Sequence, residues 1–219
     1  PGVIHAAIFD LDGTLVESLP GIALALNRGL ASRGHATHPE PTVRTFIGDG
    51  AWMLVRRAIP DAPDAEVDAV EQAFRREYAS TWQNGTAPYP GIMDLLRDLG
   101  GLPLAVLSNK PHSFTVAIVE HLFPADTFQI VLGLQPGAPA KPDPSGALTI
   151  AGQLQVPCSA ITFVGDSTMD YDTATRAGMQ PVLVDWGYHT HLRLLATGAP
   201  ILNSVTALRA HLAARLPTS

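Results

Sequence analysis

Short apolar runs alternate with longer segments of helical spacing over most of the chain. The first run, residues 3–9, is continuous apart from His5 and stops at an Asp-rich, Gly-containing turn. Similar runs of four to six residues cover 102–107, 128–132, 161–164 and 181–184, bounded by Gly, Asp, Ser or Asn. Runs this short, several of them β-branched, read as buried parallel strands. Between them the spacing predicts helices over 91–99, 113–122, 144–154, 169–177 and 205–216. The last two follow Ser or Asp residues able to cap them, and Gly100 and Gly178 are placed to end helices. This alternation predicts an α/β fold with a doubly wound, Rossmann-like parallel sheet.

Residues 16–86 break the alternation. Segments 18–33, 51–59 and 65–82 carry apolar residues at three- and four-residue spacing, and no strand-like run appears among them. Asp61-Ala-Pro-Asp64 and Asn84-Gly85 read as turn-type connectors. A helical domain, 16–86, is therefore expected as an insertion into a core made of 1–15 and 87–219.

Composition narrows the class. Hydrophobic residues make up 46 % of the 219 and charged residues 16 %, which excludes a disordered chain. A net charge of −6 gives no electrostatic footprint for nucleic acid or an anionic membrane. No run of about 20 apolar residues is present to span a bilayer. The amino end shows no basic region followed by a long apolar stretch, so no signal peptide is expected. The single cysteine, Cys158, fits a reducing compartment, and a cytoplasmic monomer or homodimer is the expectation. Twelve of the 14 basic residues are Arg, and Lys110 and Lys141 are the two exceptions. They hint at positions that need a compact ammonium.

The candidate chemistry sits at the expected strand ends. One run ends Phe9-Asp10-Leu11-Asp12-Gly13-Thr14 and another ends Leu107-Ser108-Asn109-Lys110. Lys141-Pro142-Asp143-Pro144 follows, then Val164-Gly165-Asp166-Ser167 with Asp170 four residues past Asp166. In an open parallel sheet, groups at neighbouring carboxyl ends converge on one crevice. Carboxylates gathered there repel one another, and a divalent cation relieves that. Oxygen ligands without a Cys/His set favour Mg²⁺. Taken singly, Asp12-Gly13 reads as a turn, Ser108-Asn109 as a helix cap and Lys141 as a solvated side chain. Asp166 and Asp170 alone read as a cap and a first-turn acid; joint placement favours the catalytic reading. The eight histidines show no metal-ligand spacing and read as structural or surface residues.

These pieces resemble the haloacid dehalogenase-like phosphohydrolases: D-L-D-G-T-L at 10–15, S-N at 108–109, Lys141 in K-P-D-P, and G-D-S-T-M-D at 165–170. The helical block resembles that family's cap domain. The resemblance implies a small phosphoester as substrate and Mg²⁺ as cofactor. It implies that Asp10 attacks phosphorus to form an aspartyl-phosphate and that Asp12 is the acid/base. It also implies a metal site of Asp10, the Asp12 carbonyl and Asp166, with Asp170 acting through water or by orienting Asp166. Ser108 and the Asn109 amide would hold phosphoryl oxygens, and Lys141 would neutralise charge. Gly13 and Thr14 would complete the phosphate loop, and Lys110 either touches substrate or flanks the helix start.

Within the family, Asp12 argues against haloacid dehalogenases, which lack the second acid. Thr14, with no basic residue in Gly48-Asp49-Gly50-Ala51-Trp52, disfavours a mutase. F-D-L-D-G-T-L-V-E-S at 9–18, R-T-F-I-G-D-G at 44–50, P-Y-P-G-I at 88–92, S-N-K-P at 108–111 and D-W-G-Y at 185–188 resemble the phosphoglycolate phosphatase-like branch. Pyrophosphatase, nucleotidase and sugar-phosphate phosphatase activities are the alternatives. A catalytically idle regulator and a phosphoacceptor signalling domain are the readings from other classes. In the cap, Gly48 marks a loop expected to close over substrate, Arg44 is the basic candidate for a carboxylate, and Asp49 would repel one if it pointed inward.

Overall fold

The computed structural model describes residues 2–217. Pro1, Thr218 and Ser219, the outermost residues of the expected core segments, lie outside the described residues. In chain order the elements begin with β1 (Ala6–Phe9), β2 (Val16–Glu17), α1 (Leu19–Ser32), α2 (Glu40–Arg44), α3 (Ala51–Ala58) and α4 (Asp64–Thr81). Next come β3 (Ala87–Pro88), α5 (Ile92–Asp98), β4 (Leu104–Pro111), α6 (His112–Leu122), β5 (Ile130–Leu134) and α7 (Ser145–Leu154). The chain closes with β6 (Ile161–Gly165), α8 (Thr168–Arg176), β7 (Gln180–Val184), α9 (His191–Leu195), β8 (Ile201–Leu202) and α10 (Val205–Ala213).

Six strands form one parallel sheet in the order β5-β4-β1-β6-β7-β8. The unbroken apolar run of β1 follows from its place in the middle. Ala7 and Phe9 join the core on one face while Ala6 and Ile8 join a second core on the other. A strand buried on both faces has no position for a polar residue. Each fully buried Ile or Phe contributes roughly 1.5–3 kcal/mol. The order in which strands are added reverses at β1, with β4 and β5 on one side and β6, β7 and β8 on the other. That switch point is where an open sheet leaves a crevice at its carboxyl ends.

Helices α1 to α4 lie between the short antiparallel strands β2 and β3, which pair Val16 with Pro88 and Glu17 with Ala87. Helices α1 and α4 cross closely at Gly29, where a Cβ would stand 3.0 Å from the Phe74 nitrogen. No described helix is long and apolar enough to cross a membrane.

The expected strand over 128–132 is two residues early. Phe128 instead packs edge-on against Phe123, ring centroids 5.4 Å apart, and pairing with β4 begins at Ile130. The strand ending at Leu107 runs on to Pro111, so Ser108 and Asn109 are strand residues and cap no helix. Ser167 and Ser204 do cap α8 and α10, each accepting from the third backbone N–H of its helix. Short elements without a full period, α2, α9, β2, β3 and β8, escaped the sequence reading.

Candidate active site

Asp10 follows β1 directly, its N–H donating to the Val164 carbonyl at 2.9 Å. The chain then turns on the Leu11 carbonyl, which accepts from the amides of Thr14, Leu15 and Val16 at 3.2, 3.0 and 3.1 Å. Leu11 is buried in the core while the flanking Asp10 and Asp12 both line the cleft. Gly13 has φ +83° and sits so close to Asp166 that a Cβ would lie 2.4 Å from its Oδ2. Only glycine meets both demands. The Thr14 hydroxyl donates to Asp166 Oδ1 at 3.1 Å. The side chain of Thr14, expected among the phosphate-loop groups, is thus engaged by Asp166.

Asp166, at the end of β6, and Asp170, in the first turn of α8, join Asp10. Oxygens of all three buried carboxylates lie within 4.8 Å of one another. Lys141 stands among them, 3.0 Å from Asp10 Oδ1 and 2.6 Å from Asp170 Oδ1, and also donates to the Leu107 carbonyl at 3.2 Å. Asp170 further accepts from the Ser167 amide and hydroxyl at 3.1 and 2.7 Å, closing a capping box. Burial pushes the Asp10 carboxyl well above its ordinary range; Lys141 opposes this, and Asp170 and Asp166 reinforce it. Burial and then Asp170 push Asp166 up to about 7. One ammonium thus leaves the three acids under-neutralised. An all-oxygen cluster short of positive charge has the donor chemistry that suits a hard divalent cation.

The extended end of β4 supplies the next groups. The Ser108 hydroxyl accepts from the Lys110 amide at 3.1 Å, which leaves its own proton free for the cleft. Asn109 ties three segments together. Its carboxamide receives the Lys141 N–H at 2.7 Å and donates to the carbonyls of Lys141 at 3.0 Å and Gly48 at 3.1 Å. Lys110 reaches both oxygens of Asp12 at 3.1 Å, and Ser18 donates to Asp12 Oδ1 at 2.5 Å. The same ammonium lies 4.6 Å from the ring centroid of Tyr78 on α4. Burial alone would lower Lys110; the Asp12 carboxylate and Tyr78 outweigh it and raise the ammonium above its ordinary value. Asp10 and Asp170 do the same for Lys141 against its burial.

On the helical side, Gly48, Gly50, Ala51 and Leu54 line the cleft. Arg44, the expected anion receptor, is not among the lining residues, and its guanidinium donates to the Gly187 carbonyl. Arg57 pairs with Asp49 and donates to the Phe46 carbonyl at 2.8 Å, so Asp49 is already neutralised where it meets the loop. The cleft takes in about 700 Å³ when the space is counted out to open solvent.

Two groups escaped the sequence reading. Tyr188 donates its amide to Asp166 Oδ2 at 2.7 Å, and its hydroxyl accepts from Ser18 N at 2.9 Å and donates to Glu17 at 2.8 Å. Gly187 before it is required, since a Cβ there would sit 2.2 Å from the Asp166 Cβ. The D-W-G-Y motif was the available signal. His189, expected to be structural or surface, instead lines the cleft, its Nδ1 accepting from Thr168 N at 3.2 Å. No spacing rule marks such a residue, because loop folding alone brings it there.

Known proteins resemble this chain over most of its length. A phosphoglycolate phosphatase of Rhodospirillum rubrum is 39 % identical over 193 residues, covering 84 % of this chain and 80 % of its own. One from Yersinia pseudotuberculosis is 34 % identical, covering 98 % of this chain and 92 % of its own. The crystal structure of a predicted phosphoglycolate phosphatase from Haemophilus somnus superimposes with a TM-score of 0.87 at 29 % identity, covering 95 % and 98 % of the two chains. Residues 7–184 match the sequence pattern of the haloacid dehalogenase-like hydrolases, and the chain belongs to that family.

Proposed function

We propose that the protein is a Mg²⁺-dependent phosphomonoesterase that works through an aspartyl-phosphate on Asp10, with a phosphoglycolate-like small phosphoester as substrate. The observation that carries this reading is the meeting of Asp10, Asp166 and Asp170 within 4.8 Å, with Lys141 among them. The names of the relatives support the substrate. Asp10, Asp166 and Asp170 would hold the ion, with the Asp12 carbonyl as a further ligand. When bound, the ion supplies the positive charge that lets a carboxylate approach an anionic phosphoryl group.

Asp10 attacks phosphorus as the ester P–O bond breaks, and Asp12 hands a proton to the leaving oxygen. Asp12 then takes a proton from water, which attacks the acyl phosphate and returns Asp10 as carboxylate. Lys141 holds Asp10 in place and offsets charge on the phosphoryl oxygens, which the Ser108 hydroxyl and Asn109 amide would also receive. Residues 16–86 would act as a cap, their Gly48–Gly50 loop excluding bulk water.

The test is phosphate release from 2-phosphoglycolate, pyrophosphate, nucleoside monophosphates and sugar phosphates, with Mg²⁺ or with EDTA. Mg²⁺-dependent turnover with 2-phosphoglycolate preferred is the expected result. Asp10→Asn should abolish turnover while leaving the circular dichroism spectrum unchanged. Robust hydrolysis by that variant would overturn the covalent route, and full activity in EDTA would overturn the metal requirement.

A further inference from the structure

We infer that Lys110 is the specificity-determining residue, receiving an anionic group carried one carbon from the ester oxygen of the substrate. This rests on the phosphatase reading above and assigns the part of the cleft that binds the leaving group. Among the described residues, the cleft is lined by two side-chain ammonium or guanidinium groups, Lys141 and Lys110. Lys141 is held by Asp10 and Asp170 on the phosphoryl side. Arg44 is turned to the Gly187 carbonyl and Arg57 to Asp49, and none of the arginines of the helical block lines the cleft. Lys110 is left as the one cation beside Asp12, the residue that serves the leaving oxygen.

The walls around it point the same way. Phe74 and Phe114 pack on the Tyr78 ring that faces the ammonium, and Ile22 and Leu54 add to the apolar lining of the cleft. The nearby carboxamide of Asn109 is engaged at both ends by Lys141 and Gly48. The Tyr78 hydroxyl, which has no partner among the described residues, could meet one hydroxyl of a polyol leaving group, and the others would be buried unpaired, which is costly. A short leaving group with one charge meets one ammonium.

Asp12 now gives Lys110 both of its oxygens, at 3.1 Å each. To serve the leaving oxygen it must carry the proton it takes from water in the preceding turnover on one of them and turn that oxygen away from the ammonium. The buried ammonium then needs a second acceptor, because an uncompensated buried charge is expensive. A carboxylate attached to the ester carbon falls about 3 Å from the leaving oxygen, the span of one hydrogen bond. It can take the place that Asp12 vacates. Substrate and acid/base would thus share one cation, and a neutral leaving group would leave Lys110 holding Asp12 back.

The experiment compares 2-phosphoglycolate with ethyl phosphate, its neutral counterpart, on wild type, Lys110→Met and Lys110→Gln. Both substrates are assayed on the same preparation, so the ratio of kcat/KM is independent of the active fraction. Wild type should favour the acid by roughly 10–100-fold, the scale of one charge-assisted hydrogen bond. In Lys110→Met the ratio should fall to within about threefold, while ethyl phosphate loses less than the acid does. Retention of the wild-type ratio in both variants would overturn the inference and leave Lys110 as a support for Asp12 alone. Wild-type turnover with no preference for the acid overturns it too, with the phosphatase reading intact. Absence of turnover on any phosphoester removes the phosphatase reading and the inference with it.

Discussion

Replacing Asn109 with Ala tests whether one neutral side chain joins the phosphoryl site to the cap loop. The change deletes three hydrogen bonds at 2.7, 3.0 and 3.1 Å, two to the Lys141 backbone and one to the Gly48 carbonyl. At about 1 kcal/mol net for each, the loss is about 3 kcal/mol. Lys141 is buried, so its N–H loses its partner with no water to replace it. For a chain of this size the deficit lowers Tm by roughly 6–12 °C. Activity should fall further than folding does. Lys141 is aimed at Asp10 from a loop that Asn109 clamps, and a misplacement near 1 Å costs on the order of 100-fold. Thermal unfolding followed by circular dichroism gives the first number, and kcat well below Tm gives the second. Asn109→Asp sharpens the test, since it turns the donor facing two carbonyls into a third acceptor and should be at least as damaging. An alanine variant melting within about 2 °C of wild type with unchanged kcat would refute the clamp.

Other predictions follow from the same contacts. Asp166 holds its proton up to about 7 in the metal-free fold, against an ordinary 3.8, so the native state binds more protons across that window. Its contribution to stability therefore declines as pH rises from about 4 to 7. Urea titrations in EDTA should show wild type losing more stability over that range than Asp166→Asn, and equal losses would contradict the assignment. Gly187→Ala should impair Mg²⁺ binding, measured by calorimetry, because its methyl would occupy space now filled by Asp166; unaltered affinity would count against this packing. Ser167→Ala removes the α8 cap and one partner of Asp170, and should cost about 1–2 kcal/mol in chemical denaturation. Arg57→Met frees Asp49 beside the cleft and should raise KM for an anionic phosphoester with little change in kcat; an unchanged KM would show that Asp49 stays out of reach of substrate.

Much of the core was legible because buried parallel strands need unbroken apolar runs and their ends announce themselves with Asp, Gly and Ser. Phe9-Asp10, Val164-Gly165-Asp166 and the cap at Ser167 were all visible for that reason. The sequence could not show how far β4 continues, since Ser108 and Asn109 read singly as a helix cap yet lie in the strand through Pro111. Nor could it show what a polar side chain touches across the fold. Arg44 was a sensible anion receptor by charge, but its contact is a carbonyl 143 residues away. Thr14, read as a phosphate ligand, answers to Asp166 for the same kind of reason. His189 and Tyr188 arrive from a loop whose path depends on Gly187 fitting beneath Asp166. Contacts between distant segments are tertiary properties with no period to read.

The pairing of Val16 with Pro88 and Glu17 with Ala87 has a consequence for how such a chain can change over time. Because the two crossings lie side by side, everything between them behaves as a cassette whose ends already meet. Closing that gap adds little chain entropy to the folding of the sheet, whatever the length of the insert. The block can be lengthened, shortened or exchanged for another without altering the register of a single strand in the six-stranded sheet. Selection can thus remodel what reaches the reaction centre while the centre itself is held constant.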